Sequence, residues 1–256
     1  MKKIFVTFIL LILALVWVTL YAGISRVEPT EKLESKIPHI YEKEDMPIDK
    51  ISILVYYFIP KDRLDDSINN WKAVTDPHLQ DLLKFHEVQF FGTSKISYDF
   101  FPQPIVGEKT GAEYETNISE HYGSGEMSSI IEEMTKRVLS EGGDYYDPKD
   151  TSGERGRRVY LVVFEGEGAA GSGDFGLISR SYLTLSAYQT FSSTFLAHEF
   201  YHTLGLPDNY DESSYVFGDS QQVSMLNLTS KDIMGYVRVP IESTYIERET
   251  LQKMGL

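Results

Sequence analysis

Two histidines and a glutamate stand at the spacing by which one helix can hold a metal ion beside a base. His198, Glu199 and His202 form an HExxH motif. Because an α-helix turns about 100° per residue, positions i and i+4 lie nearly above one another, and both imidazoles can face one ion. Glu199 is adjacent to a ligand and can accept a proton from water at the metal. The motif predicts a metal site with a carboxylate base.

The residues after the motif offer a third ligand. Gly205 can take the left-handed conformation that ends a helix, and Pro207 blocks its continuation. Asp208 would then return towards the histidines, although Asp211 is an alternative ligand and Asp208 could instead hold a turn. A catalytic zinc ion takes three protein ligands and keeps a position for water. We therefore expect Zn²⁺ at His198, His202 and Asp208, with Ca²⁺ near residues 208–212 left open.

A known family shares this pattern. The run from His198 to Asp208 resembles the metzincin zinc peptidases, HExxHxxGxx(H/D), and looks like the immune-inhibitor-A-type and snapalysin-like secreted bacterial peptidases. Residues 232–236 (DIMGY) resemble the Met-turn of the same clan. The resemblance implies that Met234 forms a hydrophobic floor beneath the ligands. It also implies that Tyr236 is a catalytic residue that steadies the oxyanion.

The resemblance also implies an activity. It is that of an exported zinc metalloendopeptidase, which cleaves a protein or peptide substrate by attack of a metal-activated water with Glu199 as base. One alternative is a non-catalytic, zinc-containing surface-binding domain, which the intact Glu199 argues against because structural zinc needs no base. A second alternative is a zinc amidase acting on cell-wall peptides, which the sequence does not distinguish from a peptidase.

The segments around the motif alternate between strand and helix patterns. Continuous runs of β-branched and aromatic residues predict buried strands, and apolar residues at spacings of three and four predict helices. Loose alternation predicts one or two strands in residues 88–101, and better alternation predicts an edge or half-exposed strand in residues 182–188. The remaining predictions are strands at residues 51–59 and 159–164, and helices at residues 66–85 (interrupted near Pro77), 128–139 and 192–204.

These elements predict the fold class. We expect an α/β (α+β) fold with a metzincin-like catalytic domain: a twisted mixed sheet, an active-site helix and a Met-turn, preceded by an N-terminal hydrophobic helix. The face of the active-site helix opposite the ligands carries apolar residues at i, i+3, i+4 and i+7, which suits packing into the core. These residues are Ala197, Phe200, Tyr201 and Leu204.

Composition excludes several classes of function. With 24 basic and 38 acidic residues the net charge is −14, which disfavours binding to nucleic acid. No cysteine is present, so disulfides, thiolate zinc sites and cysteine nucleophiles are excluded. Residues 166–171 match GxGxxG, but more glycines follow where a helix should begin, so we predict a loop at the rim of the cleft rather than a nucleotide site. His39, His78, His86 and His121 are expected to be surface or core residues rather than ligands.

The N-terminal residues predict where the protein is located in the cell. Residues 4–22 are uncharged and follow Lys2 and Lys3, and the run is close to the roughly 20 residues that cross a bilayer. Residues 1–25 are predicted as a signal peptide or membrane anchor, which makes the protein extracytoplasmic, either secreted or anchored with its N-terminus inside. Residues 26–50 form a stalk, a short pro-segment or an arm packed on the domain. Residues 51–256 form the zinc metallopeptidase domain, with no oligomeric state predicted.

Overall fold

The computed structural model describes residues 36–115, 124–140, 156–209, 231–235 and 238–256. The described residues from Ile37 onward belong to one compact unit. Within these ranges, no helix has both the length and the apolar character needed to cross a membrane. The hydrophobic helix predicted for residues 1–25 lies outside the described residues.

A six-stranded mixed sheet forms the centre of the domain. Its strands run in the order β4-β3-β6-β8-β7, with β5 also paired to β3. All neighbours are parallel except β7, which is antiparallel to β8 and forms one edge. A separate antiparallel pair precedes the sheet. The strands are β1 (His39–Ile40), β2 (Lys43–Pro47), β3 (Lys50–Ile59), β4 (Lys95–Phe100), β5 (Ile105–Val106), β6 (Arg157–Phe164), β7 (Ala169–Ser172) and β8 (Phe175–Ser179).

Helices cover both faces of the sheet. They are α1 (Trp71–Gln89), α2 (Gly111–Glu115), α3 (Ser124–Met134), α4 (Arg180–Thr184), α5 (Ser192–His202) and α6 (Arg248–Lys253), with a π-helical turn at Thr135–Ser140 and 3₁₀ turns at Leu64–Asp66 and Ile241–Ser243. The predicted mixed α/β class with a mixed sheet is therefore confirmed.

Strand β3 explains why there are two helical layers. Successive side chains of a strand point to opposite faces of a sheet. Ile53 and Val55 join a core cluster with residues of α1 and α5, whereas Leu54 and Tyr56 join a second cluster with residues of α2 and α3. Because both faces are covered, every residue from Ile51 to Ile59 is buried, as its continuous apolar run predicts.

One predicted strand does not form, and another region holds one strand where one or two were predicted. The strand predicted for residues 182–188 is wrong, because the Ser179 hydroxyl accepts a hydrogen bond from Ser181 N at 3.2 Å and caps the start of α4. In residues 88–101 one strand, β4, forms, which agrees with the prediction of one or two strands. Helix α1 includes Pro77 and runs on to Gln89, after which positive φ angles at Phe91 (52°) and Gly92 (71°) turn the chain.

The glycine-rich segment predicted as a loop is partly a hairpin. Strand β7 pairs with β8 from Ala169 opposite Ile178 to Ser172 opposite Phe175. The loop prediction for residues 166–171 is thus wrong from Ala169 onward. Glycine lowers the strand propensity of this segment, but β8 is buried along its whole length and provides the partner.

Residues 37–50 of segment 26–50 pack on the domain as an N-terminal arm. Ile40 and Ile48 are 3% and 0% exposed. The backbone N–H of Tyr41 donates to the carbonyl of Leu204 at 3.0 Å, and that of His39 donates to the carbonyl of Met254 at 2.9 Å. The arm therefore contacts both the end of α5 and the end of α6.

A buried histidine links the arm to two helices. His86 in α1 is 1% exposed, its Nδ1 lies 3.2 Å from the Tyr201 hydroxyl and its Nε2 lies 2.8 Å from Ser94 Oγ. Ser94 Oγ donates to the carbonyl of Ile48, so it accepts from His86 Nε2–H, and His86 Nδ1 accepts from Tyr201. His86 is thus a core residue, as predicted. Burial lowers its pKa to about 3.

The pKa of His86 predicts acid sensitivity of the fold. Between pH 6.5 and about 3 the unfolded imidazole binds a proton and the folded one does not, so stability is complete above pH 6.5 and falls below it. The loss is about 1.4 kcal/mol per pH unit, or about 2 kcal/mol at pH 5. His86→Gln keeps a donor and an acceptor but has no group that titrates. Between pH 7 and pH 5, we expect its free energy of unfolding, measured with urea, to fall by about 2 kcal/mol less than that of the parent protein. An equal loss of unfolding free energy in the two proteins would contradict the prediction.

Candidate metal centre

Helix α5 separates the core from the candidate ligands. Ala197, Phe200, Tyr201 and Leu204, the last just beyond the helix, are 0% exposed, which confirms the predicted apolar stripe. His198 and His202 lie on the other face, with side chains 12% and 15% exposed. The burial of one face therefore fixes where the two imidazoles point.

The chain leaves the helix as the glycine predicts. Gly205 has φ of +84°, the left-handed conformation that glycine takes without steric cost, and its N–H donates to the carbonyl of His202 at 3.0 Å. Three residues later, Asp208 Oδ1 lies 3.0 Å from His198 Nε2 and 3.2 Å from His202 Nε2. The two Nε2 atoms are 3.1 Å apart. The exit thus brings a carboxylate to the two imidazoles.

Hydrogen bonds on the far side of each ring assign its tautomer. His198 Nδ1 lies 2.8 Å from the carbonyl oxygen of Ile233, and His202 Nδ1 lies 2.8 Å from that of Leu206. A carbonyl can only accept, so both Nδ1 atoms carry a hydrogen and both Nε2 atoms present a lone pair. While both Nε2 atoms lack a hydrogen, the buried Asp208 Oδ1 accepts no hydrogen bond from the described residues. Three lone pairs therefore converge on one point, and only a cation or a proton there relieves their repulsion.

The electrostatics of the cluster also favour positive charge. Burial lowers the pKa of His198, but the hydrogen bond that a protonated Nε2 gives to Asp208, together with the charges of Glu199 and Asp208, outweighs burial and raises the pKa to about 9. Burial raises the pKa of Asp208, but the hydrogen bonds and charges of the two imidazoles in their protonated form hold it well below its usual range. Both shifts indicate a site in which a positive charge is stabilised.

The chemistry and spacing of the three atoms fit zinc. Zinc binds imidazole nitrogen and carboxylate oxygen at about 2.0–2.2 Å, which places tetrahedral ligands roughly 3.3 Å from one another. The three atoms of His198, His202 and Asp208 lie 3.0 to 3.2 Å apart. Calcium prefers six to eight oxygen ligands at longer distances, so two imidazole nitrogens are a poor match for it.

Residues 231–235 contact both the His198 ring and the loop that carries Asp208. Besides the carbonyl that orients His198, this segment accepts a hydrogen bond from Asn209 N at the Met234 carbonyl (2.8 Å). Asn209 Nδ2 donates to Asp232 Oδ2 at 2.9 Å, and Asp232 is 2% exposed. Asn209 and Asp232 are supporting residues that the sequence analysis missed. Their only signal was their position next to Asp208 and Met234.

The other predicted site residues are placed as follows. Glu199 is 8% exposed, and its charge is among those that raise the pKa of His198. Met234 is 3% exposed, in the same segment as the carbonyl that binds His198. Tyr236 and Asp211 lie outside the described residues.

Strand β7 approaches helix α5 at a glycine. A Cβ added to Gly171 would collide with the carbonyl oxygen of Glu199 and lie 2.6 Å from His202 Cβ. Gly176 in β8 is less tight, since its added Cβ would lie 3.4 Å from the same oxygen. Glycine at position 171 is therefore needed for the sheet edge to lie against the backbone of the helix that carries the ligands.

The chain matches no family model and no curated protein. The geometry of His198, Glu199, His202 and Asp208 must therefore carry the functional inference.

Removal of the third candidate ligand should weaken metal binding strongly. We expect Asp208→Ala to lower zinc affinity by at least about 100-fold, since even residues that only orient ligands contribute 10–100-fold. Asp211→Ala is the matched control and should keep the affinity of the parent protein. Zinc titration with metal content measured by mass spectrometry checks both, and loss of zinc in Asp211→Ala alone would contradict the assignment.

A methyl group at position 171 should displace the ligand helix. We expect Gly171→Ala to cost about 1–3 kcal/mol of stability by overpacking, and to weaken zinc binding through movement of His202. Gly173→Ala is the control: its Cβ meets no atom within 4 Å and its φ of +58° costs about 1–2 kcal/mol, so zinc affinity is the measurement that separates the two variants. Urea unfolding and zinc titration compare the two variants. Equal zinc affinities would show that β7 does not position the ligand.

Proposed function

We propose that this chain is a zinc-dependent endopeptidase with a metzincin-like catalytic domain. The observation that carries the proposal is the convergence of His198 Nε2, His202 Nε2 and Asp208 Oδ1 within 3.2 Å of one another, with Glu199 next in sequence to the first ligand. The residues that would hold zinc are these two histidines and the aspartate.

The protein groups divide the work of peptide hydrolysis among them. When bound, zinc supplies Lewis-acid chemistry, which polarises a carbonyl and lets water lose a proton near neutral pH. Glu199 accepts that proton and later donates it to the leaving amine nitrogen. Three protein ligands leave room for water and substrate. The carbonyls of Ile233 and Leu206 keep His198 and His202 in the tautomer that binds metal.

The metzincin assignment rests on the motif and on how its parts are joined. The resemblance places a methionine turn beneath the ligands. Support for this comes from residues 231–235, which bind His198 through the Ile233 carbonyl and the ligand loop through Asn209. Tyr236 follows this segment directly and is proposed to stabilise the oxyanion. Export, by a signal peptide or anchor in residues 1–25, remains a prediction from the sequence.

A purely structural zinc site is the less well supported alternative. Structural zinc usually has four protein ligands in a closed site. The cluster in the described part of the chain has three, and Glu199 directly follows the first of them in sequence. A base next to an incomplete ligand set favours a catalytic site.

Removal of the base tests the proposal. We expect Glu199→Gln to bind zinc as the parent protein does, and to lose about 10²- to 10⁴-fold in kcat against unfolded protein substrates. Glu87→Gln, at an exposed position of α1, is the matched control and should keep full activity. Full hydrolysis by zinc-loaded Glu199→Gln would overturn the mechanism. Release of cell-wall peptides from peptidoglycan, with no cleavage of proteins, would instead favour the amidase.

A further inference from the structure

An arginine at the start of β6 lies on the side of the sheet that faces the ligand helix. Val159, Leu161 and Val163 belong to the core cluster that contains residues of α5. Because side chains alternate along a strand, Arg157 points to the same face. Its side chain is only 16% exposed. A guanidinium group is therefore held between the edge of the sheet and the end of α5.

One nitrogen of this group contacts three oxygen atoms. Arg157 Nη2 lies 3.0 Å from the carbonyl oxygen of Gly173 and 2.6 Å from Asp174 Oδ1, both in the turn between β7 and β8. The same atom lies 3.1 Å from the carbonyl oxygen of Thr203, which directly follows the last residue of α5. The side chain thus bridges the hairpin turn and the end of the ligand helix.

The helix arm of this bridge acts between a ligand and its orienting carbonyl. Thr203 stands between His202 and Leu206, whose carbonyl oxygen lies 2.8 Å from His202 Nδ1. The next carbonyl, that of Leu204, accepts from the backbone N–H of Tyr41 at 3.0 Å. Carbonyls at a helix C-terminus lack partners within the helix and carry partial negative charge, which suits a guanidinium donor. The bridge therefore restrains the turn that carries the His202 partner.

The hairpin arm of the bridge leads back to the same helix. A Cβ added to Gly171 of β7 would collide with the carbonyl oxygen of Glu199 and lie 2.6 Å from His202 Cβ. At the start of β6, a Cβ added to Gly156 would collide with the carbonyl oxygen of Lys50, so this strand begins directly against β3. The bridge, the hairpin and the helix form a closed path of contacts. Neither the turn nor the helix end can shift without breaking one of them.

The position of the guanidinium is not explained by the strength of its ion pair. The Asp174 side chain is 52% exposed, and ion pairs with exposed partners contribute little to stability. Arg157 Nε is buried and has no hydrogen-bond partner among the described residues, which is unfavourable. The arrangement is better explained by the two segments that it holds together.

We propose that Arg157 is a positioning residue of the metal centre, which keeps the His202 ring on its carbonyl partner by fixing Thr203. The fixed ring presents its Nε2 lone pair to zinc. Residues that orient a metal ligand without touching the metal typically contribute about 10–100-fold to affinity. The inference rests on the zinc-binding part of the proposed function, and it gives Arg157 no contact with metal or substrate.

The two histidine ligands should respond differently to loss of the bridge. The ring of His198 binds the carbonyl of Ile233, in a segment paired with Tyr245 rather than in the exit from α5. A general loss of stability would loosen both rings. Loss of the bridge should loosen only that of His202.

Hydrogen exchange at the two rings tests the proposal without relying on turnover. The metal-free full-length chain is prepared with isotope-labelled histidine, and exchange of each Nδ1–H with water is measured by NMR. We expect Arg157→Met to speed exchange at His202 by at least about 10-fold and to leave His198 within about 2-fold of the parent protein. Arg158→Met, the same change on the other face of β6, is the matched control and should change neither rate.

Zinc titration measures the effect on the metal. We expect the zinc affinity of Arg157→Met to fall by at least about 10-fold, and that of Arg158→Met to equal the affinity of the parent protein. Arg157→Lys keeps the charge on a shorter side chain, whose ammonium group cannot reach both arms of the bridge. This second variant should show the same selective loosening of His202 to a smaller extent, and it decides the test if Arg157→Met does not fold.

The possible outcomes separate the inference from the proposed function. An equal change at the two rings, no change at either, or unchanged zinc affinity would overturn the inference. A parent protein whose His202 ring hydrogen exchanges without protection would overturn it as well. Selective loosening of His202 with weaker zinc binding, in a chain whose parent protein cleaves no peptide, would support the inference and refute the peptidase. Cleavage by the parent protein with equal exchange at the two rings in the variants would do the reverse.

Discussion

Two hydrogen bonds from histidine rings to backbone carbonyls are the interactions on which the site depends. By fixing a hydrogen on Nδ1 of His198 and of His202, the carbonyls of Ile233 and Leu206 leave both Nε2 lone pairs facing Asp208. A rotated ring would place a hydrogen inside the cluster and cancel its attraction for a cation. The chemistry of the centre is therefore decided by main-chain atoms as much as by ligands.

The remainder of the fold holds those carbonyls in place. Leu206 follows a glycine-terminated helix whose apolar face is anchored in the core. The segment containing Ile233 is held by backbone hydrogen bonds with Tyr245, from Ile233 N at 2.7 Å and from Tyr245 to Lys231 at 3.0 Å. The sheet contributes by contact, since Gly171 lets its edge reach the backbone of the ligand helix. Sheet, helix and C-terminal segment thus each position a different part of one cluster.

Local patterns predicted most of what positions the site, and non-local contacts account for the rest. The helix over residues 192–204, the turn at Gly205 and strands β3 and β6 follow from periodicity, a glycine and apolar runs. The β7–β8 hairpin was not predicted, because it depends on the absent side chain of Gly171. This absence lets β7 lie against α5, a helix distant in sequence. Helix α1 was predicted to end at residue 85, but it continues to Gln89, past its apolar pattern. The carbonyls that orient the imidazoles belong to the main chain, so no residue type in the sequence predicts them.

The hydrogen bonds of Ile233 have a consequence for the order in which the protein matures during synthesis. The ribosome makes His198, Glu199 and His202 before it makes Tyr245, which holds the Ile233 segment, and Met254, which holds β1. We expect the nascent chain to carry a complete HExxH helix while the His198 ring still lacks its fixed carbonyl partner. A centre completed only by residues made later would gain its full set of contacts only after most of the chain has left the exit tunnel.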